Sequence, residues 1–316
     1  MTNARVVAMI DTMHEDAVTL AQNLFAAPKY KLLLPPAESW HEEAAAVVMR
    51  TGSLTRQDIE AAVNLKVVGK QGVGLDKVDL VAAEEHGVVI RNTPGVNATA
   101  VAELVIAHIF AVARQIVDIG VRQRNGDEFQ RHSCSGLQVS GKAVGIIGMG
   151  AIGKSVARML RLGFGCEIYA YDPLLPADAW PELPHRRVRT IQEMLPIVDI
   201  LTLHVPLLDT TRNLVSLPEL RAMKDTSILI NHSRGGIVNE DDLVVALREK
   251  QLRGVGLDAL LYDPPSLAKY GELWSFPNVV TTPHIGATIP QTQSESACAA
   301  VRNVWDFFKK EDRLET

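Results

Sequence analysis

Along most of the chain, short runs of consecutive apolar residues alternate with stretches in which apolar positions recur every three or four residues. The runs at 5–10, 46–49, 66–69, 87–91, 143–147, 167–171, 199–204, 227–231 and 254–257 predict buried strands. The stretches at 55–63, 78–86, 152–162 and 240–250 predict amphipathic helices. Strands apolar on both faces and separated by helices form parallel sheets covered on both sides. The expected fold class is therefore α/β.

One segment breaks the rhythm. Residues 97–119 read as a long, mostly helical stretch that is apolar on more than one face. Such a helix needs burial on more than one side, as between two domains or in a subunit interface. The Pro94-Gly95 turn before it marks a plausible domain crossing. A polar stretch, 122–141, then leads to the next strand. The chain has 316 residues, enough for two domains, and its 47% hydrophobic content excludes wholesale disorder. A net charge of −5 argues against a nucleic acid or an anionic membrane as partner, since either selects a basic face. Cys134, Cys166 and Cys298 are too scattered for a metal set or a disulfide framework, so no metal is expected and reduced thiols in a cytoplasmic protein are the natural reading. The N-terminus shows no cleavable signal pattern, and the apolar run at 104–113, interrupted by His108, is too short to span a bilayer.

Chemistry enters with Gly148-Met149-Gly150-Ala151-Ile152-Gly153, which follows the strand at 143–147 and opens the helix at 152–162. Gly-x-Gly-x-x-Gly alone is a weak signal. Here it sits between strand and helix, and an acid, Asp172, follows about 20 residues later, the pattern of a dinucleotide site. Gly148 permits the tight turn, Gly150 lets backbone approach a pyrophosphate, and Gly153 lets the helix pack on its strand. The helix N-terminus offers unpaired N–H groups and a positive dipole end. A carboxylate at Asp172 would bind ribose hydroxyls and repel a 2′-phosphate, so NAD is expected rather than NADP. The alternative is a glycine-rich turn beside an ordinary surface aspartate.

Three later segments read as strand ends opening into loops, where ligands bind in doubly wound sheets. They carry Arg234 in Asn231-His232-Ser233-Arg234-Gly235-Gly236, Asp263 before Pro264-Pro265, and His284 between Pro283 and Ile285. An arginine suits bidentate capture of a carboxylate. A histidine suits proton transfer near neutral pH, and an acid beside it favours the protonated imidazole. Taken singly, each has a bland reading: a surface ion-pair partner, a structural histidine, a turn aspartate. Together, after a dinucleotide fingerprint, they describe reduction of a 2-oxo acid or its reverse. The arginine grips carboxylate and keto oxygen, and the histidine supplies the proton.

With these residues in place the sequence resembles the D-isomer-specific 2-hydroxyacid dehydrogenase family. The likeness runs over nearly the whole chain and rests on Gly72-Val73-Gly74-Leu75-Asp76, Asn92-Thr93-Pro94-Gly95, Val101-Ala102-Glu103, the 148–153 turn, Leu203-His204-Val205-Pro206, and the segments 231–236, 258–264 and 282–287. It implies two doubly wound parallel-sheet domains, with a Rossmann NAD domain (99–285) inserted into a flavodoxin-like substrate domain (1–98 plus 286–316). It also implies a homodimer formed through the helix around 98–114. The catalytic places fall on Arg234, Asp263 and His284. The cofactor positions fall on Gly148, Gly150, Ala151, Ile152, Gly153, Asp172, His204, Val205, Pro206, His232, Ser233, Arg234, Asp258, His284 and Gly286. Val73 and Gly74 match a loop whose amides hold a substrate carboxylate. The partner implied is a small anionic 2-hydroxy or 2-oxo acid.

One departure from the family pattern is the acid, normally Glu and here Asp263, whose carboxyl reaches roughly one bond, ~1.5 Å, less far. The pairing with His284 is expected to persist, because an acid remains rather than an amide. Within the family the chain resembles 3-phosphoglycerate dehydrogenases most, through residues 69–80, Tyr171-Asp172-Pro173 and 283–288. Arg50 matches a position facing the substrate's anionic end; its alternative is a solvated loop cation. The chain ends soon after a helix expected at 291–309, so no C-terminal regulatory domain is expected. Glyoxylate/hydroxypyruvate-type reductases share the motifs, and NAD-sensing corepressor-like proteins share the fold. Both remain open alternatives.

Overall fold

In the computed structural model, which describes residues 4–37, 39–176 and 178–314, the strands fall into one five-stranded and one seven-stranded sheet. Every strand pairing is parallel. The α/β class, and the doubly wound character of both sheets, are as the alternating pattern predicts. The chain divides into two compact units, Met1–Asn97 with Thr288–Thr316, and Ala98–Ala287.

The first unit holds β1 (Arg5–Met9), β2 (Tyr30–Leu33), β3 (Ala44–Met49), β4 (Val67–Lys70) and β5 (Val89–Arg91) in the order β2-β1-β3-β4-β5. That is the flavodoxin-like order. Val7, Met9, Val48 and Val67 meet Val301, Val304 and Phe308 of the helix Pro290–Leu314 on one face. Gly69 is what lets this helix lie so close, because a Cβ there would sit 2.4 Å from the Ala300 carbonyl oxygen. Arg5 pairs with Glu311 and Asp312, and Lys66 with Glu311. Solvent-accessible surface pairs of this kind, here partly exposed, contribute about 0–1 kcal/mol, whereas each fully buried aliphatic side chain contributes about 1.5–3 kcal/mol, so the apolar face holds the helix. The helix runs past the expected 309. Strand β5 starts later than expected, because Gly87 has φ +68° and belongs to the preceding turn.

The second unit holds β6 (Ala143–Ile147), β7 (Glu167–Tyr171), β8 (Arg186–Arg187), β9 (Ile200–Leu203), β10 (Ile228–Asn231), β11 (Gly254–Leu257) and β12 (Val279–Thr281). Their order is β12-β11-β10-β9-β6-β7-β8. The chain winds outward from β6 in one direction, then returns to lay β9 on the other side. The crevice between β6 and β9 is thus the switch point at which doubly wound sheets bind ligands.

The long helix is shorter than its apolar run suggested. It spans Ala98–Ala113, and a second helix, Ile116–Arg124, continues at 62° to it. Gln115 sits between them in the left-handed region (φ 53°), and the Ala113 carbonyl turns to accept the Leu137 N–H at 2.8 Å. The first helix is buried on several sides. It packs on β10, β11, β12 and the helix Ala151–Phe164. Two glycines of β11 make room for it: a Cβ on Gly254 would lie 2.6 Å from Val112, and one on Gly256 3.0 Å from the His108 Cβ. Among the described residues no single helix is long and apolar enough to cross a membrane.

Candidate active site

The glycine turn after β6 is built as its spacing suggests, and its three glycines have three different reasons. Gly148 has φ +95°, and a Cβ there would lie 2.4 Å from the His204 carbonyl oxygen, so the turn abuts the end of β9. A Cβ on Gly153 would lie 2.1 Å from the Gly148 carbonyl oxygen. At Gly150 a Cβ would meet nothing within 4 Å. The protein's own packing therefore does not require glycine there, and the open space is what a phosphate group approaching the backbone needs. Gly150 is also the N-cap of the helix Ala151–Phe164, with no side chain capping it. The first-turn amides at Ala151 and Ile152 thus stay available to an anion.

Asp172 ends β7 with its carboxylate turned toward this turn. One oxygen accepts the Met149 N–H and the other the Leu174 N–H, both at 2.9 Å. Arg187, from β8, is the nearby cation that sequence reading did not single out. Its guanidinium donates to the carbonyls of Asp172, Leu175 and Pro176 and so shapes the loop beneath the carboxylate. An open glycine, an uncapped helix and a carboxylate fixed beside them fit NAD.

Along the same sheet edge, the segments after β9 and β10 lie next to the turn. His204 hydrogen-bonds Thr202 through Nε2 at 3.0 Å, and the Val205 side chain flanks Gly148. The Pro206 carbonyl accepts the Thr211 hydroxyl at 2.6 Å. Ser233 donates to the Leu203 carbonyl at 3.0 Å, tying the arginine loop to β9. Asn231 donates to the Arg234 carbonyl at 2.8 Å. Gly235 presses on the next loop, since a Cβ there would lie 2.3 Å from Leu260 backbone atoms. The arginine loop and the loop carrying Asp263 are therefore in direct contact.

Asp263 and His284 are brought together, with Oδ2 3.5 Å from Nδ1 and both side chains about half exposed. This is ion-pair range and longer than an ordinary hydrogen bond, as a shortened acid would give. The loop that carries Asp263 is anchored twice. Leu261 N–H donates to Glu240, and Tyr262 N–H to the Tyr270 hydroxyl. Burial pushes the Glu240 carboxyl above its usual range and the Tyr270 phenol up to about 12. His284 itself has φ 56°, an unusual backbone conformation for a non-glycine residue. Asp258 enforces it: Oδ1 accepts the Ile285 N–H at 2.8 Å and the Thr282 hydroxyl at 2.6 Å, while Oδ2 accepts the Gly286 N–H at 2.9 Å.

Sequence reading missed His108 as a site residue, because on an apolar helix it read only as an interruption. It lies against His232, with His108 Nδ1 2.9 Å from His232 Nε2, and its own Nε2 lies 3.4 Å from the Thr282 hydroxyl. Burial lowers the His108 pKa, takes His204 down to about 3 and His232 to about 2. All three are neutral at physiological pH. Among the described residues no group of three or more His, Cys, Asp or Glu could hold a metal ion.

In the first unit, Arg50 follows β3, and Val73 and Gly74 follow β4. Asp11 Oδ2 accepts the amides of Arg50, Thr51 and Gly52. The buried Lys70 donates to the carbonyls of Arg50 and Gln71. Gly72 N–H donates to Thr93, and Asn92 to the Val73 carbonyl at 2.7 Å. Both loops are thus fixed by side chains gripping their backbone.

Residues 106–286 match a family model described as D-isomer specific 2-hydroxyacid dehydrogenase, NAD binding domain. The chain belongs to this family of NAD-linked oxidoreductases. It is 35% identical over 264 residues to a hydroxypyruvate reductase of Thermotoga maritima, covering 83% of this chain and 84% of that one. It is 32% identical over 312 residues to a D-3-phosphoglycerate dehydrogenase of Methanocaldococcus jannaschii, covering 96% of this chain but 58% of that longer one. Among solved structures, a glyoxylate reductase from Paecilomyes thermophila superposes with a TM-score of 0.84 at 28% identity, covering 96% of this chain and 95% of that one.

Proposed function

We propose that the chain interconverts a small D-2-hydroxy acid and its 2-oxo acid with NAD, most closely as a 3-phosphoglycerate dehydrogenase would. The observation that carries the reading is the pairing of Asp263 with His284 on a loop whose backbone is over-determined by Asp258. A half-exposed histidine held in an uncommon conformation beside an acid, on the edge that bears the dinucleotide turn, is built for proton transfer rather than packing. In this reading His284 gives its proton to the keto oxygen during reduction and takes it back during oxidation. Asp263 orients the imidazole. Arg234 orients the carboxylate and keto oxygen. Bound NAD(H) supplies the hydride chemistry, held by the 148–153 turn, Asp172 and the segments around 204–206, 232–234 and 284–286. Val73, Gly74 and Arg50 take the acid's anionic groups. Apolar Ile116, Val117 and Val121, exposed on the helix Ile116–Arg124, support a homodimer formed through this region and the preceding helix.

The test is NADH oxidation with a panel of 2-oxo acids, phosphorylated and not. A phosphorylated oxo acid should give the highest kcat/KM. Preference for glyoxylate or hydroxypyruvate would move the chain to the reductase reading, which the Thermotoga and Paecilomyes relatives support by name. Silence across the panel with intact NADH binding would instead support a cofactor-sensing binding protein.

A further inference from the structure

The arginine loop after β10 and the histidine loop after β12 are separate strand ends, yet one side chain from the helix Ala98–Ala113 touches both. We infer that His108 is a positioning residue that registers the Arg234 loop against the His284 loop through a one-directional hydrogen-bond relay. The inference rests on the dehydrogenase reading above for its kinetic part, but its direction follows from the donors and acceptors alone.

Asp258 already accepts two backbone N–H groups, so it serves as the relay's terminal acceptor and the Thr282 hydroxyl donates to it. With its proton so directed, Thr282 Oγ1 faces His108 as an acceptor. His108 must then carry its proton on Nε2 and present a bare Nδ1. Across the 2.9 Å contact, His232 must donate from Nε2, which makes it an Nε2–H tautomer as well. The relay thus reads His232 → His108 → Thr282 → Asp258, and Asp258 in turn grips the amides on either side of the His284 turn. His232 sits two residues before Arg234. Both rings are nearly shut off from solvent, His108 at 3% and His232 at 6% exposure, so the direction is not scrambled by water. Gly256 leaves the space the His108 ring occupies. A packing residue at position 108 would need no such space for a heteroaromatic ring and no partner at either nitrogen.

The experiment combines tautomer assignment with kinetics. Long-range ¹H–¹⁵N correlation spectra of the ligand-free protein should show His108 and His232 both protonated at Nε2 and neither at Nδ1. An Nδ1–H assignment for either ring would reverse the relay and overturn the inference. In steady-state assays, His108→Leu should lower kcat about tenfold or more with NADH affinity little changed, and should lower the melting temperature because it leaves the buried His232 donor without its acceptor. His108→Gln keeps one acceptor and one donor at a similar separation and should restore a large part of that loss. Equal kcat in the two variants would reduce His108 to a packing role and sink the proposal. An unmodified enzyme without turnover on any 2-oxo acid would defeat the dehydrogenase reading instead, while the tautomer spectrum would still decide the relay.

Discussion

The two parallel sheets are wound by the same rules but equip their carboxyl edges differently. In the first unit, charged side chains grip backbone: Asp11 holds three successive amides, and Lys70 holds two carbonyls. The result is a pair of stiff loops that present Arg50 and the Val73–Gly74 peptide groups. In the second unit, Asp172, Asp258 and Arg187 grip backbone in the same way, but neutral histidines and a threonine also link one loop to the next, and Asp263 pairs with His284 across loops. The difference teaches that a shared topology fixes where chemistry can occur but not its kind. In the proposed reading one edge binds an anion and the other moves a proton.

That contrast can be broken experimentally. The largest effect should come from the second unit: His284→Ala should lower kcat by about three orders of magnitude, the usual range for loss of a general acid, with NADH affinity retained. Next, Arg50→Ala in the first unit should raise KM for a phosphorylated acid by roughly 10–100-fold, the weight of one charge-assisted contact, and barely change kcat or an unphosphorylated acid. If Arg50→Ala lowered kcat while His284→Ala raised only KM, the division of labour would be wrong.

Acid should separate the units as well. His232 is held at about 2, and an unfolded histidine titrates near 6.5. Below that pH the unfolded chain takes up a proton the folded chain refuses, so stability is full above about 6.5 and falls as pH drops toward the folded value. At pH 5 this costs about 2 kcal/mol for His232, and His204 acts in the same direction. Among the described residues the first unit buries no histidine. Thermal melts from pH 7.5 to 5 should therefore show a transition assigned to the second unit moving down first. The smallest effect is expected from Asp263→Asn. At 3.5 Å from His284 and half exposed, Asp263 should contribute about tenfold or less, seen as a fall in kcat/KM relative to the unmodified enzyme.

Much of this was legible in the sequence because the strands are continuous apolar runs. The segments at 143–147, 167–171 and 254–257 coincide with β6, β7 and β11. Strand β2 was not legible: Lys31 interrupts a four-residue element on the sheet edge. Strand β12, at the other sheet's edge, is three residues long, and the apolar signal is correspondingly short. The helix break at Gln115 was hidden because a backbone turned left-handed leaves no mark when the residue is not glycine. At the site, glycine spacing and strand ends announced the turn and the three loops. His108 could not be announced, since its meaning depends on a histidine that follows it by more than a hundred residues.

The return of the helix Pro290–Leu314 to the first sheet has a consequence for how the molecule is made. On the ribosome the first sheet emerges early, yet the face formed by Val7, Met9, Val48 and Val67 must wait for Val301 and Phe308. The intervening stretch, continuous from Ala98 to Ala287, has its whole core in hand before then. The guest is finished before its host, and the N-terminal strands emerge first and are sealed last.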